Sequence, residues 1–109
     1  SEIEESVHPV ELLRTTFPMG SMTGAPKVEA MKIIEELETT KRGVYSGAIG
    51  YFKPNQDFDF NVVIRTLLYN QEKRYLSFMV GGAITSKAAA EQEYAETLLK
   101  AEAMINSLK

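Results

Sequence analysis

Glu93, Glu96 and Lys100 are spaced by three and four residues, so a helix places all three on one stripe. Tyr94 and Leu98 lie beside that stripe and face the core, which puts the carboxylates on the border between core and water. Two carboxylates one turn apart repel unless a cation comes between them. One reading is an i, i+4 pair between Glu96 and Lys100, worth a few tenths of a kcal/mol. The other is half of a Mg²⁺ site, because magnesium is commonly held by one or two carboxylates together with waters and substrate oxygens. Two glutamates of one helix do not complete such a site, so further ligands must come from elsewhere.

Arg65 interrupts an apolar run, Val62-Val63-Ile64-Arg65-Thr66-Leu67-Leu68. An unpaired buried charge is costly, and a planar guanidinium fork suits a carboxylate held through two hydrogen bonds. A salt bridge to a glutamate or a place on the polar face of a strand explains the same residue. Gly20-Ser21-Met22-Thr23-Gly24-Ala25-Pro26-Lys27 opens a helix, where backbone N–H groups favour anions. It is not a phosphate loop: Ala25 and Pro26 separate Gly24 from Lys27, and no strand precedes it. Ser21 and Thr23 suit a small carboxylate or hydroxyl, or simply cap the helix. Gly81-Gly82-Ala83 follows a strand and offers N–H groups to a carboxylate, or forms a plain turn. His8, the single histidine, precedes Pro9 in a polar segment and reads as a surface residue.

Six elements position these residues. Val10 to Thr16 reads as a short helix opened by Pro9, and Phe17 to Ala25 as a loop. Pro26 to Thr39 reads as a helix with Pro26 at its first position and Thr23 or Gly24 as its cap. Val28, Met31, Ile34 and Leu37 form its apolar stripe. Tyr45 to Phe52, Phe58 to Tyr69 and Tyr75 to Val80 read as three strands. Phe58, Phe60, Val62 and Ile64 share one face of the second, and the turn Asn70-Gln71-Glu72-Lys73 leads to the third. Ala88 to Leu108 is a long helix with Ala90, Tyr94, Leu98, Ala101, Ile105 and Leu108 as its buried stripe. The expected class is α+β, with helices packed on an antiparallel β-meander. Three strands with two open edges make an incomplete sheet, whose remainder is expected in another segment.

The 109 residues correspond to one domain or a piece of one, and 44% are hydrophobic with 25% charged. That composition excludes a disordered tail. A net charge of −3 excludes nucleic-acid binding driven by phosphate neutralisation and disfavours an anionic membrane surface. The absence of cysteine excludes disulfides and Cys-ligated zinc, and fits a cytoplasmic location. The acidic start has no apolar run of a signal peptide, and no stretch nears the ~18 apolar residues of a membrane span. With no initiator Met, a piece of a longer chain is expected. Residues 1–9 are expected to be a flexible segment and 10–109 the folded part.

The run Phe17-Pro18-Met19-Gly20-Ser21-Met22-Thr23-Gly24-Ala25-Pro26-Lys27-Val28-Glu29-Ala30-Met31 resembles a signature of the chorismate-utilising enzymes. The resemblance continues through Arg42 to Tyr51, Ile64-Arg65-Thr66, Gly81 to Ile84 and Glu93-Tyr94-Ala95-Glu96-Thr97. Five motifs in order cover nearly all the chain after Val10. The resemblance implies the C-terminal quarter of a larger chorismate-binding domain. It implies that Glu96 is a Mg²⁺ ligand, with Glu93 supporting the metal directly or through water. Arg65 and Tyr45 would grip the enolpyruvyl carboxylate, helped by backbone amides at Gly81 and Ala83, with Gly82 between them. Ser21 would lie near the ring and Lys100 would add positive charge near the substrate.

Two departures stand out: Ala83 replaces the usual glycine, and Ser86 to Ala90 replaces an Asp-Ser-Asp-Pro stretch. The family's other Mg²⁺ glutamate, its histidine and its acid–base lysine and glutamate would lie upstream, and His8 does not match the histidine. Val80 to Ile84 and Val44 to Tyr51 are similar to the aminodeoxychorismate synthase component I branch, in 4-aminobenzoate and folate synthesis. Anthranilate synthase component I is the runner-up. In either branch ammonia would come from a glutamine amidotransferase subunit, and this chain alone would be inactive, with apolar surface open to self-association. The alternative from another class is an independent α+β binding or assembly module.

Overall fold

The computed structural model describes residues 2–109. In chain order the elements are α1 (Pro9–Thr16), α2 (Gly20–Thr23), α3 (Lys27–Leu37), β1 (Ala48–Phe52), β2 (Phe58–Val62), β3 (Leu68–Asn70), β4 (Tyr75–Ser77) and α4 (Ala90–Asn106). The class is mixed α+β, and each strand pair is antiparallel, as expected. Two compact units divide the chain, Ser1–Val62 and Val63–Lys109.

In the first unit α1 begins at Pro9, whose missing N–H costs nothing in a first turn. His8 is the N-cap, its Nδ1 accepting from the Val10 N–H at 3.2 Å, so the lone histidine closes a helix end. The expected loop from Phe17 to Ala25 contains one helical turn, α2. Gly24 ends that turn with φ +124°, a conformation that favours glycine. Pro26 is the N-cap of α3 and not its first residue, and no side chain caps that helix. Good helix formers carry α3 from Lys27 to Leu37.

β1 and β2 pair with Ala48 opposite Val62, Gly50 opposite Phe60 and Phe52 opposite Phe58. Period-two alternation therefore gathers all the aromatic residues of β2 on one face with Phe52. The ring centroids of Phe52, Phe58 and Phe60 lie 5.3–6.1 Å apart. The strand expected from Tyr45 begins only at Ala48. Tyr45 and Gly47 instead close tight turns by donating to the Arg42 and Val44 carbonyls at 3.1 and 3.0 Å.

The second unit corrects the strand expected from Phe58 to Tyr69. β2 stops at Val62 and β3 starts at Leu68. Between them Arg65 has φ +50°, a left-handed conformation that no strand can contain. The strands thus form two separate pairs in place of one meander. β3 and β4 join through a turn in which the Lys73 N–H donates to the Asn70 side chain at 3.0 Å, and β4 ends at Ser77, short of Val80.

Within each unit, the main packing among the described residues is between paired strands and between α2 and α3. Val63 is the buried hydrophobic of the described residues. The stripe expected to be buried on α4 is open: Tyr94 is 66% exposed, Leu98 54% and Ile105 48%. On α3, Val28 and Leu37 are exposed too. The apolar periodicity is real, but neither helix has a buried residue. No described helix is long and apolar enough to cross a membrane.

Candidate functional site

In the second unit, the chain leaving β4 runs through Gly81-Gly82-Ala83 and returns as α4. Glu91 and Glu93 sit in the first turn of α4, where negative charge complements the helix dipole. The glycine turn lies against one face of this helix. A Cβ built on Gly82 would come 3.3 Å from Glu93 Oε2 and 3.8 Å from Thr97 Cγ2. One helical turn further on, the Lys100 ammonium donates to the Gly81 carbonyl at 2.9 Å. Glu93, Thr97 and Lys100, at spacings of four and three, are the side of α4 that faces the turn.

This arrangement corrects one of the two readings of the stripe. Glu96 and Lys100 form no ion pair among the described residues. The lysine reaches across to a carbonyl nineteen residues earlier in the chain. Glu96 is left exposed on the helix, one turn beyond the half-buried Glu93. Among the described residues no three His, Cys, Asp or Glu side chains converge to hold a metal ion, so the two α4 carboxylates would need other ligands to complete a site. Their chemistry suits a hard divalent ion that completes its shell with water and substrate oxygens.

Arg65 is exposed at the bend between β2 and β3. It forms no ion pair among the described residues, so the internal salt bridge weighed for it is not made. Its fork is open to an acid.

Ser21, Thr23 and Tyr45 belong to the first unit. Ser21 is exposed on α2. The Thr23 hydroxyl donates back to the Met19 carbonyl at 3.1 Å, which leaves its lone pairs for a ligand. Tyr45 is half-buried in the turn before β1. Neither Ser21 nor Thr23 caps α3, whose N-cap has no side-chain bond. The structure thus brings Gly81, Gly82, Glu93 and Lys100 together in one unit, and holds Ser21, Thr23 and Tyr45 in the other.

Sequence reasoning assigned Arg42 no role of its own. Its guanidinium meets Glu38 through Nε at 2.9 Å, and its Nη1 donates to the Met22 carbonyl at 2.8 Å and to Ser46 Oγ at 3.3 Å. Arg42 opens the family motif that runs to Tyr51, but nothing in that motif shows its partners. Hydrogen bonding to Arg42 holds the Glu38 carboxyl below its ordinary value of 4.5, against a smaller opposing effect of burial. A depressed folded-state pKa means that the pairing stabilises the fold fully above pH 4.5 and fades as pH falls through the lower folded value. We therefore expect wild type to be more stable than Glu38→Gln at pH 7, and the gap to close as pH falls below 4.5. Thermal melts of both proteins across that range check this; a gap independent of pH would contradict it.

The chain matches the family described as chorismate binding enzyme over residues 1–106. It is 52% identical over 96 residues to a protein of Oryza sativa subsp. japonica named probable aminodeoxychorismate synthase, chloroplastic. That alignment covers 87% of this chain and 10% of the rice protein. It is 42% identical over 108 residues to aminodeoxychorismate synthase component 1 of Bacillus subtilis (strain 168), covering 99% of this chain and 23% of that protein. It is 38% identical over 108 residues to anthranilate synthase component 1 of Aquifex aeolicus (strain VF5), covering 99% and 22%. The chain spans between a tenth and a quarter of the length of these relatives. With nearly all of its residues inside the family match, this chain belongs to the chorismate binding enzymes.

Proposed function

We propose that this chain is the part of a chorismate-aminating enzyme that contributes two Mg²⁺ ligands and one wall of the substrate pocket. The observation that carries the reading is the glycine turn held on α4, with Lys100 on the Gly81 carbonyl and Gly82 beside the Glu93 carboxylate. It joins backbone N–H donors, a cation and one of the two candidate metal carboxylates, Glu93, in one small region.

Glu96 and Glu93 would hold the ion. When bound, Mg²⁺ supplies a Lewis acid that neutralises the ring carboxylate of chorismate. Within the second unit, Arg65 would bind a carboxylate of the substrate through its fork; a substrate-binding role for Tyr45, in the first unit, rests on the family resemblance alone. The N–H groups of Gly81 and Ala83 would add donors in the same unit, and the family resemblance assigns Ser21 a place near the ring. With both carboxylates held, ammonia adds and the C4 hydroxyl leaves as water, giving 4-amino-4-deoxychorismate. Ammonia comes from a glutamine amidotransferase subunit. C4 amination is favoured by the relatives named aminodeoxychorismate synthase, and C2 amination is the second reading because a relative named anthranilate synthase is nearly as similar to this chain. The reading includes a cytoplasmic location, on the cysteine-free composition. The rice relative is chloroplastic by name, and cell fractionation decides between the two.

A self-contained binding module is disfavoured by the open apolar stripe of α4. That stripe should also make the isolated chain self-associate, which size-exclusion chromatography reads directly. For activity, we expect no turnover by the 109-residue chain given chorismate, Mg²⁺ and ammonia. The full-length enzyme carrying this segment should form 4-amino-4-deoxychorismate under the same conditions. Release of anthranilate in its place would select the second reading, and failure to consume chorismate at all would overturn both.

A further inference from the structure

We propose that Arg42 is a positioning residue that locks two substrate-facing segments of the first unit to each other. The proposal rests on the chorismate reading for what those segments do, and on geometry alone for the lock. One segment is the α2 turn, Gly20–Thr23, which carries Ser21 and Thr23. The other is the turn from Arg42 to Gly47, which carries Tyr45. The segments are about twenty residues apart in sequence, and one guanidinium spans them. Nη1 donates to the Met22 carbonyl in the first and to Ser46 Oγ in the second, at 2.8 and 3.3 Å.

Each end of this bridge is built to receive it. Met22 is followed by Thr23, whose N–H and C=O belong to a single helical turn closed by Gly24 N–H on the Gly20 carbonyl at 2.8 Å. A one-turn helix has almost no internal ladder to hold it, so an outside donor on its carbonyl matters. Ser46 is 7% exposed and has φ +68°, an unfavourable backbone for serine. Its buried hydroxyl finds its partner in Arg42. The guanidinium is fixed from behind by Glu38, which accepts from both Nε and Nη2. Lysine has no planar fork and cannot hold this set of acceptors at once. None of the contacts uses Ser21, Thr23 or Tyr45 side chains, so Arg42 acts through the backbone that carries them.

The test uses the full-length enzyme carrying this segment, with amide hydrogen exchange and chorismate titration followed in ¹H–¹⁵N spectra. In Arg42→Gln, exchange at the Gly24 and Gly47 amides should rise at least tenfold, with the β1–β2 ladder unchanged. Arg42→Lys should recover only part of that protection. Glu38→Gln, which leaves the Met22 and Ser46 contacts in place, should fall between wild type and Arg42→Gln. Exchange changes confined to the Glu38 amide and the end of α3 would overturn the lock. In the titration, chorismate should shift the Ser21 and Tyr45 amides of wild type, and Arg42→Gln should need at least tenfold more chorismate for the same shift. Equal titrations despite loosened turns would overturn the positioning role. No chorismate shift in the wild-type full-length enzyme would overturn the chorismate reading, while the exchange rates decide the lock by themselves.

Discussion

Gly50→Ala is expected to destabilise the β1–β2 pair by about 2 kcal/mol. Gly50 pairs with Phe60, and the Phe60 ring lies over the glycine. A methyl group there would overlap the Phe60 ring and the Asp59 carbonyl oxygen. The ring can swing, at the expense of its edge contact with Phe52 at 5.3 Å. The carbonyl belongs to the paired backbone and cannot move without opening the ladder. Overpacking of this kind costs roughly 1–3 kcal/mol, and the half to one kcal/mol that alanine returns by restricting the unfolded chain offsets only part of it. Two kcal/mol corresponds to roughly thirtyfold faster exchange of the ladder amides, at 1.36 kcal/mol per factor of ten. Ile49→Ala is the control, because Ile49 is 58% exposed on the opposite face and its loss should stay within about 0.5 kcal/mol. Equal exchange in Gly50→Ala and wild type would mean that the ring does not rest on the strand.

That glycine was legible in the sequence as a place of close approach, and the hairpin around it was legible as alternation. The same alternation misled further along. Phe58, Phe60, Val62 and Ile64 continue a period-two pattern straight through the point where the backbone turns. Side-chain pattern encodes burial, not φ, and an arginine in a left-handed conformation leaves none of the trace that glycine or asparagine would. The helix α2 was invisible for a different reason: four residues cannot display a 3.6-residue period. On α4 the spacing of Glu93, Glu96 and Lys100 placed all three on one side of the helix. It could not say which acceptor the lysine takes, because the competing one, the Gly81 carbonyl, is set by how the chain returns from β4. The bridging role of Arg42 was hidden for the same reason, since its Met22 partner lies twenty residues away. Local periodicity identified the helices and hairpins. The contacts that shape the candidate site are long-range hydrogen bonds to backbone carbonyls, which carry no residue-type signature at the accepting end.

The largest effect on chemistry is expected from Glu96→Gln in the full-length enzyme carrying this segment. Glutamine keeps the length and one oxygen donor of glutamate but removes the charge, and magnesium is held chiefly by carboxylate and water oxygens. A thousandfold loss of kcat/KM, equivalent to about 4 kcal/mol of transition-state stabilisation, is the expected scale. The position makes the experiment clean. Glu96 is exposed, is in no ion pair among the described residues, and has an unaltered helix on either side. Its substitution should therefore leave the melting temperature within a degree or two of wild type, since surface changes of this kind stay within about 0.5 kcal/mol. Glu93→Gln is less clean, because that carboxylate also packs beside Gly82 and its loss disturbs the glycine turn. For Glu93→Gln we expect a raised Mg²⁺ requirement together with a raised KM for chorismate, whereas Glu96→Gln should fail mainly in kcat. Glu91→Gln, in the first turn of the same helix, should be nearly silent. Activity of Glu96→Gln within threefold of wild type at limiting Mg²⁺ would remove α4 from the metal site and leave the lysine-held glycine turn as a carboxylate-binding feature alone.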